Sequence, residues 1–495
     1  MKKKLTIFLV LCVVILCPLS AVASGEGESY LYSYTNEGIV DVSAPQPYLV
    51  DTVYTNQVLG TDFSSPEDMT RDGDGNFYIC DSVTNSIYLF DEQWKLKKTI
   101  CTFENNGRED GFNAPMGICV DADKNLFIAD AGNSRIVTLD PEGRLIQLIE
   151  KPQSDILADD FAFIPQKVLV DSANRIFVLC KNVYEGILQF SESGAFIGFV
   201  GSNKVVASPL DVLWKKIMTQ TQRSKMDSFI PVEYTNISLD YQDFIYAVTS
   251  VSNVDSPIRR LNPSGEDVLV RSPTNGSKEV VGDALYTAYS KYSEVSTGPS
   301  SFVDITSDQK GNYYALDGNR GRVFAYDEEG NMLFVFGSMK TGQKGSLESP
   351  SAIEYVDGKI YILDRALGSV LSYQPTEYVQ CIHQAMEAYL QQDYQKSVEL
   401  WKQLIRQNSN LDVAYVKAGY GLYRLKQYEE AMEYFKLVNA KSAYSKAYQQ
   451  YMDIQLNRYF NLIVALVLIV VLLIVAAVTA FAMVRRKRTK KAKMR

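Results

Sequence analysis

The sequence is very poor in histidine and has few cysteines, and both shortages exclude classes of site. Among 495 residues there is one histidine, His383. A zinc site built from several histidines and a Ser–His–Asp triad elsewhere in the chain are therefore excluded. Five cysteines follow the first 23 residues, an odd number without regular spacing and without a CxxC pair. This pattern does not indicate a disulfide framework.

Helix-breaking residues are absent from the C-terminal part of the chain. No proline follows Pro375 and no glycine follows Gly421. Because these two residue types interrupt helices, their absence predicts a final helix that runs without a break from Ser442.

The two ends of the chain predict export and a membrane anchor. Residues 1–23 combine three lysines, an uncharged apolar run and small residues before Ser24, which is typical of a cleaved signal peptide. Residues 460–484 predict a transmembrane helix, and the basic segment 485–495 predicts a cytoplasmic tail. We therefore expect a single-pass protein of the cell membrane whose N-terminal bulk is extracellular or periplasmic.

The exported part of the chain is strongly acidic. Three of the 50 basic residues lie in the leader and eight in the tail, which leaves 39 against 58 acidic residues and a net charge of −19. Such a balance argues against nucleic acid or anionic lipid as its ligand.

A repeated phrase dominates the middle of the chain, and its clearest copy is Pro115–Leu139. Copies begin at prolines 66, 115, 165, 231, 299 and 350, with longer insertions at 202–230 and 271–298. Each copy alternates apolar and polar residues in short segments that are separated by polar turns such as DGDGN, which we interpret as hairpin turns. Four strands per copy make each copy a propeller blade, so six copies predict six blades. Small sheets with two apolar faces must stack on one another, which favours a ring of blades.

The repeats resemble NHL repeats. The second copy carries the family's core residues most completely, with Asp121, Asn125, Ala129, Asp130, Asn133, Arg135 and Ile136. The third and fourth copies depart most, with Cys180-Lys181 and Thr249-Ser250 in place of Ala-Asp. The resemblance implies a mainly β fold, a six-bladed β-propeller over residues 24–375, and says little about a ligand. The sixth copy lacks its outer strand, so we expect residues 48–54 to complete the last blade.

A different composition begins at residue 376 and predicts a helical stalk to residue 458. Tyr394 and Tyr428 are 34 residues apart, as are Trp401 and Phe435. This period and the helix–turn–helix character resemble tetratricopeptide (TPR) repeats, which generally bind peptides or partner proteins.

Four acidic residues at the ends of blade strands are the candidate metal ligands. Asp81, Asp130, Asp317 and Asp364 follow apolar strands in four copies and could line one end of the ring and bind Ca²⁺. The other interpretation is that each carboxylate bonds to neighbouring loops. No catalytic residue and no other cofactor is indicated.

Two functions remain open on the sequence. The first is a membrane-anchored scaffold in which the ring recognises a protein or glycan and the stalk assembles with an envelope, transport or secretion component. The alternative is a Ca²⁺-dependent hydrolase resembling lactonases and gluconolactonases, with its site on the ring axis. The absence of histidine from the ring favours the binding protein.

Overall fold

The computed structural model describes residues 29–35, 38–157, 161–201, 233–250, 256–271, 281–283, 299–339 and 344–492. The predicted leader, nearly all of the two insertions and the last three residues of the tail lie outside the described residues. The spacing of Leu210, Val212, Leu213, Ile217 and Met218 predicts an amphipathic helix in the first insertion, and these residues also lie outside the described ones.

Six antiparallel sheets form a closed ring, which confirms the predicted six-bladed β-propeller. The first strand of each blade contacts the first strand of the next blade, and the sixth contacts the first. Buried apolar clusters lie between neighbouring blades rather than within one blade. The core is therefore made by stacking, as expected for small sheets that are apolar on both faces.

The strands of the first three blades follow the predicted order. Blade 1 contains β4 (Pro66–Arg71), β5 (Phe77–Asp81), β6 (Ser86–Phe90) and β7 (Leu96–Ile100). Blade 2 contains β10 (Pro115–Val120), β11 (Leu126–Asp130), β12 (Arg135–Leu139) and β13 (Leu145–Ile149). Blade 3 contains β14 (Pro165–Val170), β15 (Ile176–Cys180), β16 (Ile187–Phe190) and β17 (Phe196–Val200).

The other three blades follow after the longer connections. Blade 4 contains β18 (Asn236–Leu239), β19 (Ile245–Val248) and β20 (Ile258–Leu261). Blade 5 contains β21 (Phe302–Ser307), β22 (Tyr313–Asp317), β23 (Arg322–Tyr326) and β24 (Met332–Phe336). Blade 6 contains β25 (Pro350–Val356), β26 (Lys359–Asp364), β27 (Ser369–Pro375) and β3 (Tyr48–Thr55).

The polar turn between the first and second strands is fixed by its leading aspartate. In DGDGN, Asp72 Oδ1 accepts the backbone N–H groups of Asp74 at 3.0 Å and Asn76 at 2.8 Å, and Asn76 Nδ2 donates to Asp72 Oδ2 at 2.7 Å. Asp121 and Asn125 repeat these bonds in blade 2. Asp72 and Asn76, the first and last residues of the motif, thus fix the hairpin turn. The Asp72 carboxylate, rather than water, accepts the hydrogen bonds of the backbone N–H groups in the turn.

The N-terminal strand closes the ring. β3 pairs antiparallel with β27, with Tyr54 opposite Val370 and Tyr48 opposite Pro375. Tyr48 is 1% exposed, stacks on Phe336 at 4.8 Å and donates its hydroxyl to the Gly358 carbonyl at 3.0 Å. Side-chain packing and backbone pairing therefore both join the first and last parts of the ring.

Blade 4 departs from the four-stranded pattern within the described residues. Its sheet has three strands, and the chain after β20 makes one isolated bridge between Leu261 and Asp267. The Val268 N–H still donates to the Arg260 carbonyl at 2.8 Å.

Two hairpins lie outside the blade sheets. They are β1 (Tyr30–Thr35) with β2 (Gly38–Ser43), and β8 (Thr102–Asn105) with β9 (Arg108–Gly111). The second hairpin is inserted between blades 1 and 2. Arg135 joins it to blade 2 through a two-pronged ion pair with Asp110, at 2.8 and 3.0 Å, and through Asp130 at 2.8 Å. Arg135, the arginine of the repeat motif, therefore connects β12 of blade 2 to the inserted hairpin.

Five helices follow the ring: α1 (Glu377–Leu390), α2 (Tyr394–Gln407), α3 (Asp412–Arg424), α4 (Tyr428–Leu437) and α5 (Lys441–Ala492). The chain divides into two compact units. The first unit contains the ring, the chain up to His383 and residues 407–413. The second unit contains residues 384–406 and the chain from Ala414 onward.

The helices of the second unit pack through small residues. A Cβ atom on Gly419 would lie 2.5 Å from Phe435, and one on Gly421 would lie 2.5 Å from Val398. Both contacts are shorter than van der Waals distance, so only glycine permits these helix crossings. Trp401 and Phe435, which are 34 residues apart in the sequence, are each 1% exposed. The predicted TPR relationship stays a prediction.

The last helix is continuous and apolar. Within α5, the segment Lys441–Met483 contains an 18-residue stretch with a mean hydropathy of 3.5, none of it buried, and is long and apolar enough to cross a membrane. This fits a single-pass anchor.

Replacement of Tyr48 by alanine should destabilise the closed ring. Loss of a fully buried aromatic side chain and its hydroxyl bond is expected to lower the free energy of unfolding by about 3–4 kcal/mol. Chemical denaturation of the full chain in detergent measures this change. Leu49→Ala is the matched control, because Leu49 is 38% exposed on the same strand and should cost less than about 1 kcal/mol. Equal losses for the two variants would contradict the role of Tyr48.

Candidate functional site

The first strand of each blade carries one residue at an equivalent position near the ring axis. In five blades this residue lies opposite the next-to-last residue of the second strand and follows the same bulge, as between Pro66 and Asp68. In blade 4 the corresponding residue, Asn236, lies opposite Val248 at the end of β19. The residues at this position, in blade order, are Asp68, Gly117, Lys167, Asn236, Asp304 and Ala352. We call this set the axial ring.

Three members of the axial ring link one blade to the next. Asp68 accepts the backbone N–H of its neighbour Met69 at 2.9 Å and that of Ile118 in blade 2 at 2.8 Å. Asp304 likewise accepts N–H groups of Ile305 at 2.8 Å and of Ile353 in blade 6 at 2.7 Å. These carboxylates therefore act first as inter-blade links.

Asn236 links blade 4 to blade 5, but its side chain donates the hydrogen bond between the blades, whereas Asp68 and Asp304 accept theirs. Its amide oxygen accepts the N–H of Ile237 at 2.7 Å, and its Nδ2 donates to the Val303 carbonyl of blade 5 at 3.1 Å. An amide can do this because it carries both donors and acceptors.

Glycine is required at the blade 2 position. A Cβ atom on Gly117 would lie 2.5 Å from the Gln166 carbonyl oxygen and 2.8 Å from the Lys167 Cα. The inner strands of blades 2 and 3 therefore approach too closely for any side chain at this point.

Lys167 of blade 3 forms a buried ion pair with Asp68 of blade 1. Blade 2 separates these blades, so their side chains can meet only near the axis. Both residues are buried, with 8% exposure for Lys167 and 2% for Asp68. Burial alone would lower the pKa of Lys167, but the carboxylates of Asp68 and Asp304 outweigh it and raise that pKa above its ordinary value. The side chain therefore remains an ammonium ion.

Two further carboxyl groups near Lys167 are difficult to ionise. Burial raises the pKa of Asp304 to about 7, although Lys167 opposes the shift. Burial, with the charge of Asp304, raises the pKa of Glu354 on β25 to about 8. We call Asp68, Lys167, Asp304 and Glu354 the axial cluster. It combines the Lys167–Asp68 ion pair with two groups, Asp304 and Glu354, that gain or lose protons near neutral pH.

A divalent cation, as the Ca²⁺-dependent alternative requires, does not fit the axial cluster. Ca²⁺ takes six to eight oxygen ligands. Asp68 already accepts two backbone N–H groups and the Lys167 ammonium. Across the described ranges, no group of three or more His, Cys, Asp or Glu side chains is placed to hold a metal ion.

The acidic residues predicted from the sequence lie elsewhere, at the ends of second strands. Asp81, Asp130, Asp317 and Asp364 are each 0% exposed. Asp81 accepts the N–H groups of Ser64 at 2.7 Å and Ser65 at 2.9 Å. The other three accept loop N–H groups in the same way. The structure thus gives each carboxylate its own loop, and their role as metal ligands stays a prediction that this geometry does not favour.

The axial cluster was missed in the sequence because its members differ in type between blades. The available signal was a polar residue two places after the proline that begins a repeat, as in Pro66-Glu67-Asp68 and Pro165-Gln166-Lys167. An alternating strand gives no indication that a bulge shifts this residue toward the axis.

One end of the ring exposes apolar side chains. This end, which we call the loop face, carries the connections between successive blades and those between second and third strands. At the junction of blades 6 and 1, Val58 is 64%, Val83 62% and Leu367 43% exposed. An ion pair between Arg365 and Glu67, at 2.8 Å, lies at the same junction. Ile156 and Tyr184 are exposed on the loop face at blades 2 and 3.

The axial cluster should make stability depend on pH. Glu354 in the folded chain keeps its proton up to about pH 8, whereas in the unfolded chain it loses it near its ordinary pKa of 4.5. The folded state thus binds more protons in this window, so the free energy of unfolding should fall as pH rises from about 5 to 8. Lys167 and Arg71 oppose the shift, and Asp304 and Asp68 increase it.

Glu354→Gln should reduce this slope, because glutamine resembles the protonated acid and does not titrate. We expect its stability relative to the unmodified protein to rise by on the order of 2 kcal/mol between pH 5 and pH 8.5. Urea denaturation at a series of pH values measures it, with Glu109→Gln on the exposed β9 as control. Parallel curves for both variants and the unmodified protein would contradict the assignment.

The comparisons with known proteins concern the ring. Residues 42–161 match the family model described as SMP-30/Gluconolactonase/LRE-like region. No curated protein matches the sequence. A virginiamycin B lyase structure from Staphylococcus aureus is similar at 12% identity, over 66% of this chain and 99% of that chain, with a TM-score of 0.40.

Two further solved structures are similar to the chain. A gluconolactonase from Xanthomonas campestris is 12% identical over 67% of this chain and 95% of that chain, with a TM-score of 0.41. A structural genomics protein of unknown function from Bacteroides thetaiotaomicron is 13% identical over 71% and 83%, with a TM-score of 0.44. The chain therefore carries a six-bladed β-propeller whose first two blades are similar in sequence to the SMP-30/gluconolactonase/LRE-like family.

Proposed function

We propose that this protein is a membrane-anchored binding protein that works outside the cytoplasm. Its ring binds a partner protein at the loop face, at the junction of blades 6 and 1. Its helices α1–α4 act as a TPR-like array that assembles with a component of an envelope, transport or secretion complex, and α5 anchors the whole in the membrane.

The observation that carries the proposal is the exposed apolar group on the loop face. Val58, Val83 and Leu367 come from three separate connections on the loop face of blades 6 and 1, which are neighbours where the ring closes. Exposed apolar side chains rimmed by charged groups are typical of protein–protein contacts. Loops held by a rigid scaffold commonly carry recognition. The charge of −19 over the exported part favours a partner whose contact surface is apolar with a basic rim.

A second contact surface is available on the helices. A shallow depression on α2 is lined by Lys396, Glu399, Leu400, Lys402, Gln403 and Arg406. Lys402 forms an ion pair with Glu430 of α4 at 2.6 Å. The excess of cationic side chains suits an acidic segment of an assembly partner.

The hydrolase alternative has less support in the residues that would perform it. On the axis, where such a site was expected, the Lys167 ammonium is paired with Asp68 and the carboxylates are bonded to backbone N–H groups. A binding role needs no reacting group at this place.

Charge placed on the loop face should abolish partner binding. We expect the double variant Val83→Asp/Leu367→Asp to reduce a specific crosslinked adduct in intact cells by at least about tenfold, because two desolvated carboxylates oppose an apolar contact. The probe is a photoreactive benzoylphenylalanine at Val58, followed by mass spectrometry of the adduct. The matched control is Ile146→Asp/Ile197→Asp, since both residues are exposed on outer strands away from the loop face.

Two results would contradict the proposal. One is an adduct that survives in the loop-face variant, and the other is its absence in the unmodified protein together with Ca²⁺-dependent turnover of lactones. Membrane orientation is tested separately with protease added to whole protoplasts. The ring should be degraded and the basic tail protected, and the opposite pattern would contradict the proposed topology.

A further inference from the structure

We infer that the ammonium group of Lys167 is the cation at the propeller axis, and that it stabilises the ring there in the way that a bound divalent ion would. The ring then closes without metal, in contrast to the Ca²⁺-dependent alternative that the sequence left open. The inference is independent of what binds the loop face.

The position of Lys167 is the first argument. It occupies the blade 3 position of the axial ring, where blades 1, 4 and 5 carry an aspartate or asparagine that links one blade to the next. Lys167 instead reaches past blade 2, which offers only Gly117 at this level, and bonds to Asp68 of blade 1. It is the axial-ring residue whose contact joins two blades that are not neighbours.

The charge at the axis is the second argument. Asp68, Asp304 and Glu354 come from blades 1, 5 and 6, and all three interact electrostatically with Lys167. An ionised carboxylate removed from water needs a partner cation, since an uncompensated buried charge is strongly destabilising. Lys167 supplies positive charge to all three groups, and Arg71 adds to it at Glu354.

The two kinds of cation differ in how they respond to solution conditions. A bound metal stabilises a fold in proportion to its free concentration, and a chelator removes that stabilisation. A lysine is attached to the chain, so its contribution is independent of dissolved ions. This difference makes the inference testable on the unmodified protein.

The first experiment measures thermal unfolding of the full chain in detergent, with EDTA and with millimolar Ca²⁺. The unmodified protein should unfold at the same temperature in both. Lys167→Met keeps the length of the side chain but removes its charge, and should lower the unfolding midpoint by about 10 °C. Lys181→Met is the matched control, because Lys181 is an exposed lysine of the same blade, and it should leave the midpoint unchanged.

The second experiment separates the ion pair from general damage. If Lys167 neutralises Asp68, the double variant Lys167→Met/Asp68→Asn should recover at least half of the decrease in unfolding midpoint caused by Lys167→Met, because position 68 then no longer carries an unpaired charge. Should Lys167→Met fail to fold, recovery of folded protein in the double variant supports the same conclusion.

Three outcomes would overturn the inference. They are a midpoint of the unmodified protein that EDTA lowers and Ca²⁺ restores, a Lys167→Met variant as stable as Lys181→Met, and a double variant no more stable than Lys167→Met.

Discussion

Six inner strands converge on one axis, and the charge placed there must be neutralised within the protein. The ring meets this constraint with short side chains that bond to the next blade, with a glycine where two strands approach most closely, and with one lysine that reaches across the centre. The apolar clusters between blades contain residues of these same inner strands, Met69 in one cluster and Val168 in another. Links at the centre of the ring therefore act on strands that also pack against the neighbouring blade.

The fold could be predicted from the sequence to a large extent, because alternation and turn chemistry repeat in each blade. The aspartate and asparagine of DGDGN fix a local hairpin, so local sequence contains the information. The site could not be predicted in this way. The position of Asp81 at the end of a strand is compatible both with a metal ligand at one end of the ring and with a bond to a neighbouring loop, and in the structure its carboxylate is bonded to the loop at Ser64 and Ser65. Contacts such as that of Lys167 with Asp68 join residues 99 apart, and no local pattern encodes them.

The helical region shows the same division between local and long-range information. The spacing of Trp401 and Phe435 predicts two equivalent helices, and both side chains are buried in helices of similar character. The absence of proline and glycine predicts a continuous last helix, and α5 runs from Lys441 to Ala492. What binds at the depression on α2 depends on the surface of another molecule, which this sequence does not encode.

The strand that completes blade 6 has a consequence for biogenesis. Tyr48 and Gly358, which bond to each other, are 310 residues apart in the chain. If the polypeptide is exported with its N-terminus first, β3 emerges long before β27, and its unpaired edge must wait for nearly the whole ring to follow. Unpaired edges are prone to associate with other chains. Rapid translocation, or a chaperone that covers β3 on the outer side of the membrane, would therefore determine the yield of folded protein.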